Sequence, residues 1–365
     1  MQSLERALTA LGSKLLLTRV NPAAIQRQLQ RERYTPAPPP DGHRVRVAVV
    51  QLEGRLFSRA RDYVAHIYRL VHQAVSDGAQ LVVFPEDTGN YPLAGLIPGL
   101  ERIVSGGGQG SAAENVTSGQ APVLALFRLL APAAQRVYST TFATLARSFG
   151  AHILAGSTIT RDAQGRVYKE AHLYSPDGRL RMTQRKTHLF PTEAVWGLSH
   201  DDTIQVVETP VGALAAPICM DHTYFEPIRV AWLQGAEIII DPAADAARYN
   251  FWAQARGVWG RVQESPAYGV QACMVGHILG QEFGGRSGVY APLALTPKGD
   301  GVLAQAATGD SEEVVIADLD LDAMRAYRRA HAPNWNLALY RKYIPAIYAR
   351  APGEAGQMTG RRVID

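Results

Sequence analysis

Glu86, Lys186 and Cys219 each stand where an apolar or alternating run gives out: Glu86 after "LVVFP", Lys186 after "RMTQR" and Cys219 after "GALAAPI". In α/β folds the carboxyl ends of strands gather ligand-handling groups, because the strand fixes the base of the side chain while the turn stays open. A thiol attacks carbon only as the thiolate, and a nearby ammonium favours that form. A carboxylate within hydrogen-bond reach takes the thiol proton and later delivers it to a leaving amine. The ammonium also sits where an oxyanion grows. Together the three make a device for attacking amides or nitriles that needs no metal and no organic cofactor. Taken singly, each has an ordinary reading: a solvated charge for Glu86 and Lys186, an apolar filler for Cys219.

The rest of the sequence narrows the classes. With 365 residues, 47% of them hydrophobic and 19% charged, the chain reads as a soluble globular protein of one large domain or two ordinary ones. A net charge of +4 with scattered arginines and no basic block among aromatics argues against nucleic acid as a partner. No run of about 18 apolar residues exists to span a membrane. The cysteines, Cys219 and Cys273, form no CxxC pair and no disulfide framework, which points to reduced thiols in a cytoplasmic setting. The histidines are dispersed without HExxH or a Cys/His cluster, so no metal site is expected. Cys273, within "VQACMVG" and without a charged neighbour, reads as inert packing.

The elements that must position the three residues follow from pattern. Leu4, Leu8, Leu11 and Leu15 recur at helical spacing and predict an amphipathic helix, docked on the protein's own body or on a twin subunit in preference to the alternative of a membrane-surface anchor. "RYTPAPPPDGHR" (33–44) reads as a proline-rich linker. "VRVAVVQL" is a buried strand, and apolar residues from Ala60 to Val75 trace one helix face. "GAQLVVFPED" is a second strand. A Gly/Ser-rich loop over 105–122 carries no phosphate-binding motif. A helix runs from about Ala134 to Gly150, before the strand "AHILAGSTI". "VYKEAHLYSPDGRLRMTQRK" is a hairpin about Pro-Asp-Gly, so the sheet is mixed. Strands over 203–209 and 211–218, a helix over 224–235, the strand "AEIIIDPAA", a helix over 248–264 and the strand "YGVQACMVG" come next. "GVYAPLAL", "GVLAQA" and "EEVVIADLDL" close the sheet region. Two sheets face to face with helices outside are expected.

In their order, "FPE", "RKTHLFPTE" and "ICMDHTYFEPIR" resemble the nitrilase superfamily of carbon–nitrogen hydrolases. The resemblance covers residues 44–330 and takes in "VAVVQLEG", "GAEIIIDPAA", "GGRSGVYAPLALTPKGDGVLAQA" and "VVIADLDLDAMRAYR". It implies a four-layer αββα sandwich with two mixed β-sheets, whose subunits pair into a homodimer or larger homo-oligomer. It implies a catalytic triad of Glu86, Lys186 and Cys219, with the backbone N–H of Met220 in the oxyanion hole. It adds Glu193, which would bond the lysine and help place the substrate; its alternative is an exposed loop acid beside Pro191. Asp221, Glu226 and Arg229 match polar positions of the segment after the cysteine and would position the turn. Met-Asp follows the cysteine where nitrilases carry Trp-Glu, which favours a small amide or N-carbamoyl substrate over a nitrile. His188 and His222 could line the pocket or be hydrogen-bonded structural histidines; Tyr91, Phe190, Trp196, Tyr224 and Phe225 could floor it or fill core. The expected organisation is a helix and linker over 1–44, the hydrolase domain over 45–330 and a tail over 331–365. A non-catalytic scaffold on the same fold is the alternative of another class, with the leading extension and the Gly-rich segment as its contact surfaces.

Overall fold

The strand β1 (Arg44–Glu53) is buried on both faces: Val45, Val47 and Val49 point into one core, Ala48, Val50 and Leu52 into another. This is why its sequence reads as a continuous β-branched run rather than an alternating one. In the computed structural model, which describes residues 11–100, 120–331 and 336–349, two parallel strands continue from β1 on one side, β2 (Leu81–Val83) and β3 (His152–Arg161). The hairpin β4 (Val167–Tyr174) and β5 (Leu180–Arg185) then adds antiparallel. β13 (Glu313–Asp320) pairs antiparallel on the other side of β1.

A second group holds β6 (Val207–Thr209), β7 (Gly212–Ala215), β8 (Ile238–Ala243) and β9 (Tyr268–Ile278), with β10 (Gln281–Phe283) and β11 (Gly288–Tyr290) on β9 and β12 (Val302–Gln305) on β11. Among the described residues, hydrogen bonding makes the two groups one mixed array of 13 strands, where two separate sheets were expected. The link is short: Leu52 opposite Met274 and Glu53 opposite Val275.

Three apolar clusters fill the spaces. One lies between the outer face of the first group and its helices, α3 (Ala60–Ser76) and α4 (Gln120–Phe149). Another joins Val45, Val47 and Leu81 to Ile238, Ile240 and Val270 of the second group. A third sits under α6 (Phe225–Leu233) and α8 (Val258–Glu264). On α3 the buried residues Tyr63, Val64, Ile67, Leu70, Val71, Ala74 and Val75 form the single stripe that a 3.6-residue period demands.

Several boundaries differ from the sequence reading. α4 is a 30-residue helix that begins well before Ala134 and passes through Pro132. Burial of Leu130, Ala131, Ala133 and Ala134 around that proline outweighs its missing hydrogen bond. The loop expected over 105–122 gives way to helix from Gln120, and its remainder lies outside the described residues. The helix expected over 248–264 is broken at Gly257 into α7 (Phe251–Ala255) and α8.

Residues 11–18 are helical (α1), but Leu11 and Leu15 face solvent while Ser13 and Leu16 are buried; the docked face is not the leucine stripe. Leu4 and Leu8 lie outside the described residues. The following helix α2 (Pro22–Leu29) buries Ile25 and Leu29 in the cluster around α3 and α4. Nor does the proline-rich stretch hang free. The Ala37 N–H donates to Phe149 O at 2.7 Å, and Gln80 donates to Pro39 O at 3.0 Å. The chain divides into compact units of residues 1–325 and 326–365, so the described part of 1–44 belongs with the strands rather than to a separate appendage. Within the second unit, α10 (Leu337–Ala349) is helical. Among the described residues no helix is long and apolar enough to cross a membrane.

Candidate active site

Glu86 leaves the sheet because Pro85, lacking an N–H, ends the β2 ladder. The exit is clamped to a bulge in β3 between Leu154 and Ser157. Phe84 N–H donates to Leu154 O (2.9 Å), Ser157 N–H to Pro85 O (3.3 Å) and Asp87 N–H to Ser157 Oγ (3.0 Å). Gly156 is required at the bulge: its φ is +71°, and a Cβ there would lie 1.8 Å from Pro85 O. Asp87 itself takes a φ of +61°, which turns the chain sharply after the acid.

Lys186 follows β5 and still pairs across the hairpin, its N–H donating to Lys169 O at 3.0 Å. The two lysines are therefore cross-strand neighbours. Lys186 is 1% exposed, and its Nζ lies 2.7 Å from Glu86 Oε1 and 2.9 Å from Glu193 Oε2. Glu193 sits in the first turn of α5 (Pro191–Val195), where its Oε2 also accepts the Phe190 N–H at 2.7 Å. At 3% exposure it is no exposed loop acid. Burial alone would raise it, but Lys169 and Lys186 together pull it down to about 2. Burial likewise disfavours charge on Lys186, and Glu86 and Glu193 more than reverse that, holding it well above the ordinary lysine range.

Cys219 opens a short 3₁₀ turn, Cys219–Thr223, after β7. Its φ of +50° is left-handed backbone that costs a non-glycine residue roughly 1–2 kcal/mol, and strain of this kind persists only where the surroundings enforce it. Here Asp221 does so. Fully buried, it accepts from Ile218 N–H (2.8 Å), Thr187 N–H (3.1 Å), Thr187 Oγ1 (2.8 Å) and His188 N–H (2.6 Å). One carboxylate thus pins the cysteine turn to the residues just after Lys186.

The sulfur itself is in an unexpected state. Burial and the Glu86 carboxylate push the Cys219 thiol well above its ordinary value, outweighing the downward pull of Lys186. An ammonium-stabilised resting thiolate, the sequence expectation, is not what the environment favours. Cys219 is nonetheless partly open at the surface, whereas Cys273 is buried, with burial pushing its thiol up and its N–H donating to Ser287 Oγ at 2.9 Å.

His222 is a hydrogen-bonded structural residue. Its Nε2 lies 2.9 Å from Pro217 O, so that nitrogen carries the proton, and burial holds the ring down to about 4. His188 stacks on Tyr224 at 4.4 Å. Arg229 pairs with Glu264 on α8, which ties α6 to its neighbour. Of the aromatics, Trp196 packs edge-on against Phe127, while Phe225 lies under the Arg261 guanidinium. Among the described residues there is no group of His, Cys, Asp and Glu fit to hold a metal. A cavity of about 540 Å³ bounded by Tyr249, Gln254, Trp259, Arg286 and Tyr290 includes none of the three candidate residues in its lining.

Sequence reasoning missed Lys169 and Asp87. Lys169, 3% exposed, lies 3.0 Å from Glu86 Oε1, 2.9 Å from Asp87 Oδ2 and 2.5 Å from Glu193 Oε1. No local signal sets this pairing: counting outward from Tyr174 opposite Leu180 places Lys169 opposite Arg185, and only the register shift between Leu173 and Tyr174 brings it opposite Lys186.

With this geometry in place, the comparisons agree with one another. The carbon–nitrogen hydrolase family profile matches residues 46–329, and the chain belongs to that family, whose members are enzymes acting on C–N bonds. A nitrilase of Pyrococcus abyssi is 29% identical over 289 residues, covering 78% of this chain and 93% of that one. An omega-amidase of Danio rerio is 25% identical over 300 residues, covering 78% and 91%. A probable hydrolase of Bacillus subtilis is 30% identical over 197 residues, 53% of this chain but 38% of that protein, so the chain spans well under half of that relative. In structure, the α/β fold with its large mixed sheet matches a Saccharomyces cerevisiae member of branch 10 of the nitrilase superfamily. The TM-score is 0.59 at 18% identity, over 83% of this chain and 99% of that one. A mutant of the amidase from Nesterenkonia sp. AN1, with the acetamide moiety of fluoroacetamide on its active-site cysteine, gives 0.58 at 19% identity over 84% and 99%.

Proposed function

We propose that the protein hydrolyses a non-peptide carbon–nitrogen bond, of an amide or N-carbamoyl compound, through a thioester on Cys219. One observation carries the reading: Lys186 Nζ is held between Glu86 and Glu193 at 2.7 and 2.9 Å, and the charges of Glu86 and Lys186 both act on the Cys219 sulfur. Glu86 takes the thiol proton as the sulfur adds to the carbonyl carbon, and the C=O π pair becomes an oxyanion. Lys186 and the Met220 N–H stabilise that charge. The C–N bond breaks as Glu86 hands its proton to the nitrogen, releasing ammonia or an amine. Glu86 then takes a proton from water, the hydroxide adds to the thioester carbon, and the C–S bond breaks as the sulfur recovers that proton. The products are a carboxylic acid and a restored thiol.

Met220 and Asp221 after the cysteine favour amide over nitrile; the likeness to the P. abyssi nitrilase keeps nitriles in the test. The wider setting is proposed on the same footing. The core shared by the two strand groups supports a four-layer sandwich. Exposed Phe225, Leu233 and Trp252, the last 79% exposed, support pairing of two copies. Two free thiols suit a reducing cytoplasm.

The experiment is ammonia or amine release from a panel of aliphatic amides, N-carbamoyl amino acids and nitriles. Turnover should vanish in Cys219→Ala, fall by about 10²-fold or more in Lys186→Ala, and persist in Cys273→Ala. Wild-type protein that turns over nothing and is not alkylated at Cys219 would return the scaffold reading.

A further inference from the structure

The residues assigned to the reaction leave the buried cation beside them, Lys169, without a role. Lys169 projects from β4 and touches three carboxylates at once: Glu86, Asp87 and Glu193. Both ammonium contacts on Glu86 fall on the same oxygen, Oε1, with Lys186 at 2.7 Å and Lys169 at 3.0 Å. Glu193 is shared too: its Oε1 lies 2.5 Å from Lys169 and accepts from Lys186 at 3.1 Å, and its Oε2 lies 2.9 Å from Lys186.

Charge counting shows what this does. Glu86, Glu193 and Lys186 alone are two acids and one base, a net negative site sealed from water. Lys169 brings the four to neutrality, and Asp87, equally buried, adds one further acid. A buried charge persists only when paired and hydrogen-bonded, so without Lys169 the carboxylates would repel one another or take up a proton.

Resting on the hydrolase reading above, we propose that Lys169 is a positioning residue for the reaction: it clamps the Glu86 and Glu193 carboxylates in register with Lys186, and Asp87 tunes that clamp. Asp87 faces Lys169, Glu86 and Glu193, with the Tyr91 phenol and the Asn90 amide beside it. Burial raises Asp87 to about 6 in spite of Lys169, so the clamp gains or loses a negative charge in the range where a carboxylate base must itself be ionised.

The signs are opposite for the two partners. Removing the cation in Lys169→Met makes the carboxylate cluster harder to ionise, so the acid limb of the kcat/KM profile moves to higher pH, by roughly 1–3 units. Removing the like charge in Asp87→Asn moves that limb to lower pH, and by less, because Asp87 is itself partly protonated there. Lys169→Arg keeps the charge and restores the limb toward wild type.

The test is the pH profile of kcat/KM for a simple aliphatic amide on the full chain, beside the pH profile of Cys219 alkylation by iodoacetamide. Opposed shifts support the clamp. Unmoved limbs, or shifts of the same sign, overturn it, as does a loss of stability with an unchanged profile. Should Lys169→Met fail to fold, the near-isosteric Asp87→Asn decides by the direction of its shift. Wild-type protein that neither turns over an amide nor alkylates at Cys219 overturns the hydrolase reading and the clamp together; a working wild type with unmoved variants overturns the clamp alone.

Discussion

Asp221→Ala should be among the most damaging single changes in the protein, although Asp221 touches none of the groups assigned to bond making. Its carboxylate is fully buried and receives three backbone N–H groups and a hydroxyl at 2.6–3.1 Å. Hydrogen bonds to a charged acceptor contribute about 1.5–3 kcal/mol each, and each donor stranded in the interior costs about 1–3 kcal/mol. The contributions share one acceptor and do not add fully, and water entering the space recovers some of the loss. A net destabilisation of about 4 kcal/mol follows, a large part of the 5–15 kcal/mol by which domains are stable. Asp177 supplies the control. It receives the Arg179 N–H at 3.1 Å in an exposed turn, where water substitutes freely, so Asp177→Ala should leave stability close to that of the wild type. Denaturant unfolding followed by tryptophan fluorescence reads both, and Asp221→Asn should fall between them. Turnover should drop as well, because the cysteine turn and the residue after Lys186 share this one anchor. If Asp221→Ala unfolds within about 1 kcal/mol of the control, or keeps full turnover, the anchoring role is refuted.

Burial holds His222 down to about 4, so between pH 6.5 and 4 the unfolded chain takes a proton that the folded chain refuses, and stability falls as pH falls. At pH 5 this loss amounts to about 2 kcal/mol relative to pH 7.5; the stability difference between wild type and His222→Gln should shrink by that amount, and a difference independent of pH would refute it. Gly156→Ala should destabilise by about 3 kcal/mol or more, since the new Cβ would meet Pro85 O at 1.8 Å on left-handed backbone; a variant within about 1 kcal/mol of wild type would show that the bulge does not hold the Glu86 turn.

The parts of this molecule legible in the sequence are those whose signal is local. Strand β1 and helix α3 announce themselves by period, because each is buried along its whole length or along one stripe. Glu86, Lys186 and Cys219 stand out as candidates because their types are chemically demanding and each stands directly after a strand signal. Lys169 does not. Its strand, "VYKEAHLY", alternates like an ordinary half-exposed hairpin, yet every residue of it is buried. That burial comes from α4, whose Tyr138 lies against His172, and around Lys169 from Glu193 of α5 and the turn after β2, all outside the strand's own stretch of sequence. The first half of α4 was hidden for a related reason: Pro132 is a breaker by local rules, and only packing against distant segments overrides it.

The electrostatics also change what the lysines are for. A sequence that sets an ammonium near a thiol suggests a resting thiolate, but here burial and Glu86 push the sulfur the other way. Both ammonium groups make their close contacts with carboxylates. The buried positive charge thus pairs with the acids, and on the proposed mechanism the thiol would keep its proton until a carbonyl carbon arrives. Proton transfer to Glu86 and formation of the C–S bond must then be coupled, since neither a free thiolate nor an uncompensated oxyanion is favoured in this interior. In the addition step proposed above, negative charge would move from sulfur to oxygen, and Lys186 would gain a partner that it lacks in the resting state. An interaction made only at that moment lowers the barrier without tightening substrate binding. Such a site should lose kcat far more than it gains KM when Lys186 is removed.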